Sequence, residues 1–446
     1  MSKVRPISGF PEWLPGERII EQHFLDVFRE TFELHGFASI QTRAVEPIER
    51  LTSQGEDTDK EIYAVSRLAG GPDASSRDAK LGLHFDLTVP FARYVLENAG
   101  KLTFPFRRYQ IQSVWRGERP QEGRFREFTQ CDIDIVDVGA LAPHYEAELP
   151  LVIADAFSKL PIGPFRFQVN NRKIPQGFYQ GIGITDVQTM LRIVDKLDKI
   201  GPDAVSGLMV AAGATTEQAS AALALAQINT PDDSFVEQVQ ALGVRHETLT
   251  QGLAELAAVM RVGVEHAAGL MVADLKVARG LDYYTGTVYE TQLIGSESYG
   301  SICSGGRYDA LASDGRTTYP GVGISIGLSR LLAKIMPTLS ASRSTPSCVL
   351  VALADERDRG RGMGVAAALR QRGIACEVAP VAAKYGKQIM FAQRRGIPFV
   401  WFQASEDQEN NPGEDSVKDI RSGEQATADA SAWMPPAVDL QPRVLA

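Results

Sequence analysis

The stretch from Phe106 to Asp137, FRRYQIQSVWRGERPQEGRFREFTQCDIDIVD, constrains this chain more than any other. Two runs of alternating residues flank a polar connection, Gly117 to Arg124, that contains glycine and proline. This is the pattern of a β-hairpin with a long loop. Strand side chains point to alternate faces, so Phe128, Gln130, Asp132 and Asp134 share one face of the second strand. An aromatic ring, an amide and two carboxylates make a poor core and a good floor for a ligand. Arg116 ends the first strand, and Glu118, Arg119 and Arg124 sit in the loop. Guanidinium groups pair bidentately with phosphate oxygens, so arginines around a short loop suit a polyphosphate. The same residues would equally make a solvated charged hairpin, and the pattern alone leaves both readings open.

Composition sets the outer limits. The chain has 446 residues, 44% hydrophobic and 23% charged, which is material for about three domain-sized cores and excludes disorder as the dominant state. Cys131, Cys303, Cys348 and Cys376 stand far apart, so neither a disulfide framework nor a zinc knuckle is expected. The six histidines fall in no ligand spacing, and no metal site built from protein ligands is assigned. No uninterrupted apolar run approaches the ~18 residues of a membrane span, and Met1 to Trp13 lacks the apolar core of a signal peptide. A cytoplasmic protein with no membrane partner is therefore expected. The net charge of −9 disfavours a surface that attracts nucleic acid everywhere. DNA is not an expected partner, and any polyanion site must be local.

Four blocks follow along the chain. A helix from about Glu17 carries Ile20, Phe24, Val27, Phe28, Thr31 and Leu34 on one apolar face, with Gly36 placed to end it. A strand-rich block, about Ala38 to Val169, contains a Gly/Pro/Ser segment, Gly70 to Lys80, that reads as a mobile loop. A helical insertion, about 174–272, interrupts the strand chemistry, which returns from Ala278 to about Met336. The polar stretch Ser340 to Thr345, SASRST, marks a linker. Beyond it, strands at Val349–Ala354, Cys376–Val378 and Phe399–Phe402 alternate with helices at about Arg359–Arg372 and Tyr385–Arg395, predicting a small α/β domain with a mostly parallel sheet.

Two further segments are dense in polar anchors. In Ala278 to Glu290, ARGLDYYTGTVYE, an arginine precedes an acid and two tyrosines whose hydroxyls need partners if buried. A surface strand with tyrosines packed on a sheet would read the same way. Gly321 to Leu332, GVGISIGLSRLL, is a strand breaking at Gly327 into a helix whose first turn presents Arg330, with small residues that let backbone approach a ligand.

Together these segments resemble the three signature motifs of class II aminoacyl-tRNA synthetases, and specifically the histidyl-tRNA synthetase family. The hairpin resembles motif 2, Gly321–Leu332 resembles motif 3, and Pro47 resembles the motif 1 proline. RGLDYYTG (Arg279–Gly286) and SGGRYDAL (Ser304–Leu311) are similar to the two histidine signatures. VDKLDKIG (Val194–Gly201), KYGKQ (Lys384–Gln388) and VKDIRSGEQ (Val417–Gln425) extend the likeness over nearly the whole chain. The resemblance implies a multi-domain α/β protein: a class II antiparallel catalytic sheet of six strands with the helical insertion over 1–340, an anticodon-binding α/β domain over 346–446, and a homodimer.

The activity implied is ligation of histidine to its tRNA. L-histidine attacks the α-phosphorus of ATP to give histidyl-adenylate, which then acylates the 3′ end of histidine tRNA, with Mg2+ on the phosphates. By resemblance, Arg116 and Arg279 are the catalytic cations at the α-phosphate. Glu118 and Arg124 hold ATP together with Arg116, and Phe128 and Arg330 sandwich the adenine. Asp86, Thr88 and Gln130 take the α-ammonium of histidine, and Asp134, Tyr283 and Tyr284 face its imidazole. His84 and Asp86 depart from the commoner family residues. Arg119, Pro120 and Gln121 match the contact with the tRNA acceptor end, and Lys384, Lys387, Arg394 and Arg395 form a basic stripe for tRNA that a merely solvated helix face would also show. The rival reading is a non-catalytic histidine-sensing paralogue, the regulatory subunit of ATP phosphoribosyltransferase, which lacks the C-terminal domain and typically loses catalytic arginines.

Overall fold

The predicted hairpin is the spine of the structure, a computed structural model that describes residues 5–52, 61–66, 80–277, 283–404 and 413–446. In chain order the first part contributes β1 (Ala38–Ser39), β2 (Val45–Pro47), β3 (Ala64–Val65), β4 (Leu81–Leu83), β5 (Phe106–Trp115) and β6 (Glu127–Val136). It continues with β7 (Phe165–Asn171), β8 (Asn229–Thr230), β9 (Met271–Asp274), β10 (Thr287–Leu293), β11 (Cys303–Tyr308) and β12 (Gly321–Gly327). Nine of these form one sheet in the order β1-β5-β6-β12-β11-β10-β7-β9-β8. Its middle, β5-β6-β12-β11-β10-β7, is antiparallel throughout and supplies the six strands the resemblance implied. β1 adds to one edge in parallel, and β9 adds in parallel at the other. β2, β4 and β3 form a separate small sheet.

The insertion between β7 and β9 is helical, with helices at Lys173–Gly181, Val187–Val194, Leu197–Ala211, Thr216–Ala226, Phe235–Ala241 and Glu247–His266. The first long helix, Pro15–Leu34, ends where Gly36 takes φ +77° and the Phe37 N–H donates to the Phe32 carbonyl at 3.0 Å. Such a left-handed residue costs an L side chain and not glycine. Its buried face includes Phe28, Thr31 and Phe32. Leu34, expected on that face, is 80% exposed although Thr31 and Phe32 of the same turn are buried, because the buried face centres on Phe28 and Phe32 and Leu34 falls to its side.

The chain divides into two compact units, residues 5–11 with 25–334 and residues 12–24 with 335–446. The second contains β13 (Ser340–Ala341), β14 (Val349–Val351), β15 (Cys376–Val378), β16 (Phe399–Phe402), β17 (Ser416–Asp419), β18 (Gln425–Thr427) and β19 (Val444–Leu445). β15, β14 and β16 are parallel, and β17 and β18 extend the sheet antiparallel. The stretch 340–345 differs from the linker expected. Its β13 pairs with β19, and the buried Arg343 donates to the carbonyls of Thr345, Asp439, Pro346 and Leu440 at 2.8–3.2 Å. Polar composition suggested a tether, but the guanidinium instead satisfies backbone acceptors at the end of the chain.

Candidate active site

β6 sets out the floor as the alternation required. The pairing aligns Asp134 with Arg108 of β5 and Gly323 of β12, Asp132 with Gln110 and Ser325, and Gln130 with Gln112 and Gly327. Ser325 is aligned in turn with Ser304, and Ser304 with Glu290. One polar row therefore crosses the centre of the sheet.

Asp134 and Arg108 form an ion pair at 2.6 Å with side chains 2% and 0% exposed. The Arg108 guanidinium also lies 4.3 Å from the Phe91 ring centroid, and Tyr308 donates its hydroxyl to Asp134 Oδ1 at 2.7 Å. Gly323 makes this possible, since a Cβ there would sit 2.0 Å from Asp134 Oδ1. The small residues of the Gly321–Leu332 segment thus admit one of the protein's own carboxylates, not only a ligand. Burial pushes the Asp86 carboxyl up to about 6, against the pull of the Val89 N–H and of Arg116 and Arg108. Burial likewise raises Asp132 to about 7 and Asp134 to about 6, with Arg108 opposing in both.

Beside this floor opens a cavity of about 240 Å³ whose walls include Arg116, Glu118, Arg124, Phe128, Gln130 and Arg330. All five residues that the resemblance assigned to ATP are therefore brought to one space. Arg116 is held from three sides: Nε donates to the Phe85 carbonyl at 3.0 Å, the guanidinium stands 5.1 Å from the Phe128 ring centroid, and Nη1 is 3.9 Å from Glu118. Arg124 pairs with the other oxygen of Glu118 at 3.2 Å. Among the described residues Glu118 is the one carboxylate on the cavity wall, and no group of three or more His, Cys, Asp or Glu stands together as a metal site.

Arg330 is clamped by a residue that sequence reasoning missed. Its guanidinium lies 5.1 Å from the Tyr299 ring centroid and donates to the Tyr299 carbonyl, while the Tyr299 hydroxyl donates back to the Arg330 carbonyl at 2.7 Å. Gly123 of the hairpin loop, at φ +67°, packs against the same ring, where a Cβ would meet the Tyr299 hydroxyl at 1.9 Å. A tyrosine 31 positions upstream of Arg330 carries no local signal of this role. Ser304, Tyr308 and Ser325 lie in segments the sequence did single out, but the partners that give them a role come from other strands.

Of the residues expected around histidine, Gln130 lines the cavity, while Asp86, Thr88, Asp134, Tyr283 and Tyr284 form a cluster next to it. The rings of Tyr283 and Tyr284 meet edge-on at 4.8 Å, and the Tyr283 hydroxyl is hydrogen-bonded to those of Thr88 and Tyr284. Burial raises both phenols, so they stay protonated. His84 is fully buried, stacked on Trp115 at 5.5 Å, and its Nε2 donates to the Ser113 carbonyl at 2.8 Å. Burial holds it below the ordinary imidazole range, so it fills space as a neutral ring. Arg279 and most of the Gly70–Lys80 loop lie outside the described residues.

For tRNA, Arg119 and Gln121 are exposed on the hairpin loop, which is closed by the Gln121–Arg124 bridge. Lys384, Lys387 and Arg394 are exposed in the second unit, but Lys384 precedes the helix Tyr385–Arg395 as its cap residue, so the stripe begins outside the helix. Arg395 departs from the stripe by pairing with Glu377 at 2.6 Å. Gln388 of KYGKQ is structural: buried, it accepts from the Leu353 N–H at 3.0 Å and donates to the Leu353 and Ala383 carbonyls.

Comparison with known proteins gives two family matches, histidyl-tRNA synthetase over residues 9–331 and an anticodon binding domain over residues 347–434. The histidine–tRNA ligase of Micrococcus luteus is 58% identical over 456 residues, covering 100% of this chain and 99% of that protein. The Cutibacterium acnes ligase is 58% identical over 453 residues with the same coverage. The crystal structure of histidyl-tRNA synthetase from a Nostoc species aligns with TM-score 0.83 and 34% identity, covering 96% of this chain and 98% of that one.

Proposed function

The chain belongs to the histidyl-tRNA synthetase family, and from that premise we propose how its own residues run the reaction. The activity is histidine–tRNA ligation, in which L-histidine is activated with ATP to histidyl-adenylate and then transferred to the 3′ end of tRNA. The observation that carries the site assignment is the convergence of Arg116, Glu118, Arg124, Phe128 and Arg330 on one cavity that Gln130 also lines.

ATP lies in that cavity, its adenine between Phe128 and Arg330. The histidine carboxylate attacks the α-phosphorus and pyrophosphate leaves. The attacking group is already ionised at pH 7, so no general base is needed. Negative charge grows on the α-phosphate oxygens, and Arg116, already fixed by Phe85, Phe128 and Glu118, is aimed there without reorganising. Arg279 supplies the second cation. Glu118, the carboxylate on the cavity wall, would be the residue to meet a Mg2+ carried on the ATP phosphates, whose charge that ion would screen. Asp86, Thr88 and Gln130 orient the α-ammonium, and Asp134, Tyr283 and Tyr284 read the imidazole. A pocket that hydrogen-bonds the ring rejects apolar isosteres by about 10⁴-fold, which makes a separate editing domain unnecessary.

The exposed Arg119 and Gln121 receive the acceptor end, and Lys384, Lys387 and Arg394 hold tRNA on a domain we bound at about 346–446, with catalysis over 1–340. We also propose a cytoplasmic homodimer; no helix among the described residues is long and apolar enough to cross a membrane. The histidine-sensing paralogue is the weaker reading, because full-length relatives are ligases and this chain retains Arg116 and Arg279. The test is ATP–pyrophosphate exchange run with each of the twenty amino acids. Exchange dependent on histidine alone, cut at least ~10²-fold by Arg279→Ala, is expected. Equal rates for wild type and variant remove Arg279 from the mechanism, and exchange with another amino acid removes the pocket assignment.

A further inference from the structure

Asp132 has no role in the mechanism above, yet it is 1% exposed on the same face of β6 as Gln130 and Asp134. Its Oδ1 is one of three buried acceptors here without a hydrogen-bond partner among the described residues; the others are Asp86 Oδ2 and Gln130 Oε1. A single serine sets the orientation of two of them. Gln130 donates from Nε2 to Ser325 Oγ at 2.5 Å, and the Ser325 hydroxyl is hydrogen-bonded to the Asp132 carboxylate. Ser325 takes one of the two amide N–H groups of Gln130 and stands opposite the Asp132 carboxyl, while Gln130 Oε1 and Asp132 Oδ1 remain bare acceptors. Ser325 and Gln130 both line the cavity, and Asp132 is aligned with Ser325 across the β6–β12 pairing.

Unpartnered buried acceptors are costly to retain, and three in one neighbourhood, with Asp86 near enough to be felt at the Asp132 carboxyl, match a group with three N–H donors and a positive charge. We infer that Asp132 is a further substrate-reading residue, whose Oδ1 completes with Asp86 Oδ2 and Gln130 Oε1 a three-acceptor cradle for the α-ammonium of histidine, Ser325 acting through it as a positioning residue. This rests on the proposal that Asp86 and Gln130 take the ammonium.

Two histidine analogues separate the possibilities. Histidinol keeps the ammonium and the ring but lacks the carboxylate, and imidazolepropionate keeps the ring and carboxylate but lacks the amine. Calorimetric titration of the full chain is expected to show Asp132→Asn weakening histidinol about 10- to 100-fold, the scale of a hydrogen bond to a charged group, while imidazolepropionate stays within about 2-fold. Ser325→Ala should weaken histidinol by less, in the same selective way. In exchange assays the histidine KM of Asp132→Asn should rise with the ATP KM unchanged. Loss of both analogues together would make Asp132 a support of pocket shape and overturn the inference, as would unchanged histidinol binding. Asp86→Asn tells the two claims apart: if it weakens histidinol and Asp132→Asn does not, the ammonium site stands and the inference falls. If neither variant weakens histidinol, the ammonium site falls as well.

Discussion

The central strands of the two units bury opposite kinds of matter. β14 of the second unit, Val349–Val351, is hydrocarbon, and it packs with Val365, Leu369, Phe399 and Trp401 in an ordinary apolar core. β6 of the first unit buries Gln130, Asp132 and Asp134 opposite the wholly buried Arg108. A buried ion pair contributes little net stability, and a buried carboxyl oxygen without a donor subtracts from it. The apolar sheet exists to hold its unit together. On the proposed assignment the polar sheet tolerates a local deficit because a charged, hydrogen-bonding substrate is to be met there, and hydrocarbon on the opposite face, including Cys131, Ile133 and Ile135, supplies its apolar burial.

The sharpest way to break this contrast is to remove one large partner from each sheet. Trp401→Ala leaves a cavity in the second unit, and Arg108→Met strands the Asp134 carboxylate; each should cost about 3–5 kcal/mol in denaturant unfolding. Under conditions where both variants remain folded, Trp401→Ala should retain histidine-dependent exchange and Arg108→Met should lose most of it. Equal exchange in the two variants would mean that the charge on the β6 floor serves no function.

Acid–base behaviour should give a smaller effect of opposite sign. The carboxyls of Asp86, Asp132 and Asp134 sit above their ordinary value in the folded state, at about 6, 7 and 6. The folded protein therefore holds protons that the unfolded chain releases. Their stabilisation is complete below about pH 4 and is lost as pH rises through 6 to 7. His84, held below its ordinary value, acts in the other direction as pH falls through about 6.5. Asp132→Asn removes the group highest in this range, so the ligand-free variant should lose less melting temperature than wild type between pH 5 and pH 8, and should exceed wild type at pH 8. Parallel profiles would show that Asp132 is not held protonated. No comparable change is expected from substitutions in the β14 core, whose thiols, Cys348 and Cys376, are raised by burial and titrate above this range.

The smallest expected effect lies on the second unit's surface. Lys387→Glu combined with Arg394→Glu should raise the tRNA KM about tenfold and flatten its dependence on salt, because two exposed charges proposed to meet phosphate are reversed. Exchange without tRNA should not change. An unaffected tRNA KM would return these residues to a plain solvated face.

Much of this was legible in one dimension because the forces involved are local. Strand alternation put Phe128, Gln130, Asp132 and Asp134 on one face, and the loop chemistry of Gly117–Arg124 closed the hairpin, as found. The strand–helix alternation after Pro346 likewise predicted the parallel β15-β14-β16 sheet. The misreadings share one cause. Leu34 fits the helical period, but only a neighbour could bury it. SASRST has a linker's composition, but carbonyls about a hundred residues further on draw Arg343 inside.

What the order of residues determined by itself, then, is which side chains can face the same way, since backbone geometry enforces that within a few positions. What only the tertiary structure decided is which polar groups lose their water and which find a partner. Arg108 and Asp134 pair across β5 and β6, Ser325 links Gln130 to Asp132 from 195 residues beyond the glutamine, and Tyr299 clamps Arg330. Desolvation is a property of the whole surrounding shell, and that shell is assembled from segments that approach one another only when the chain folds.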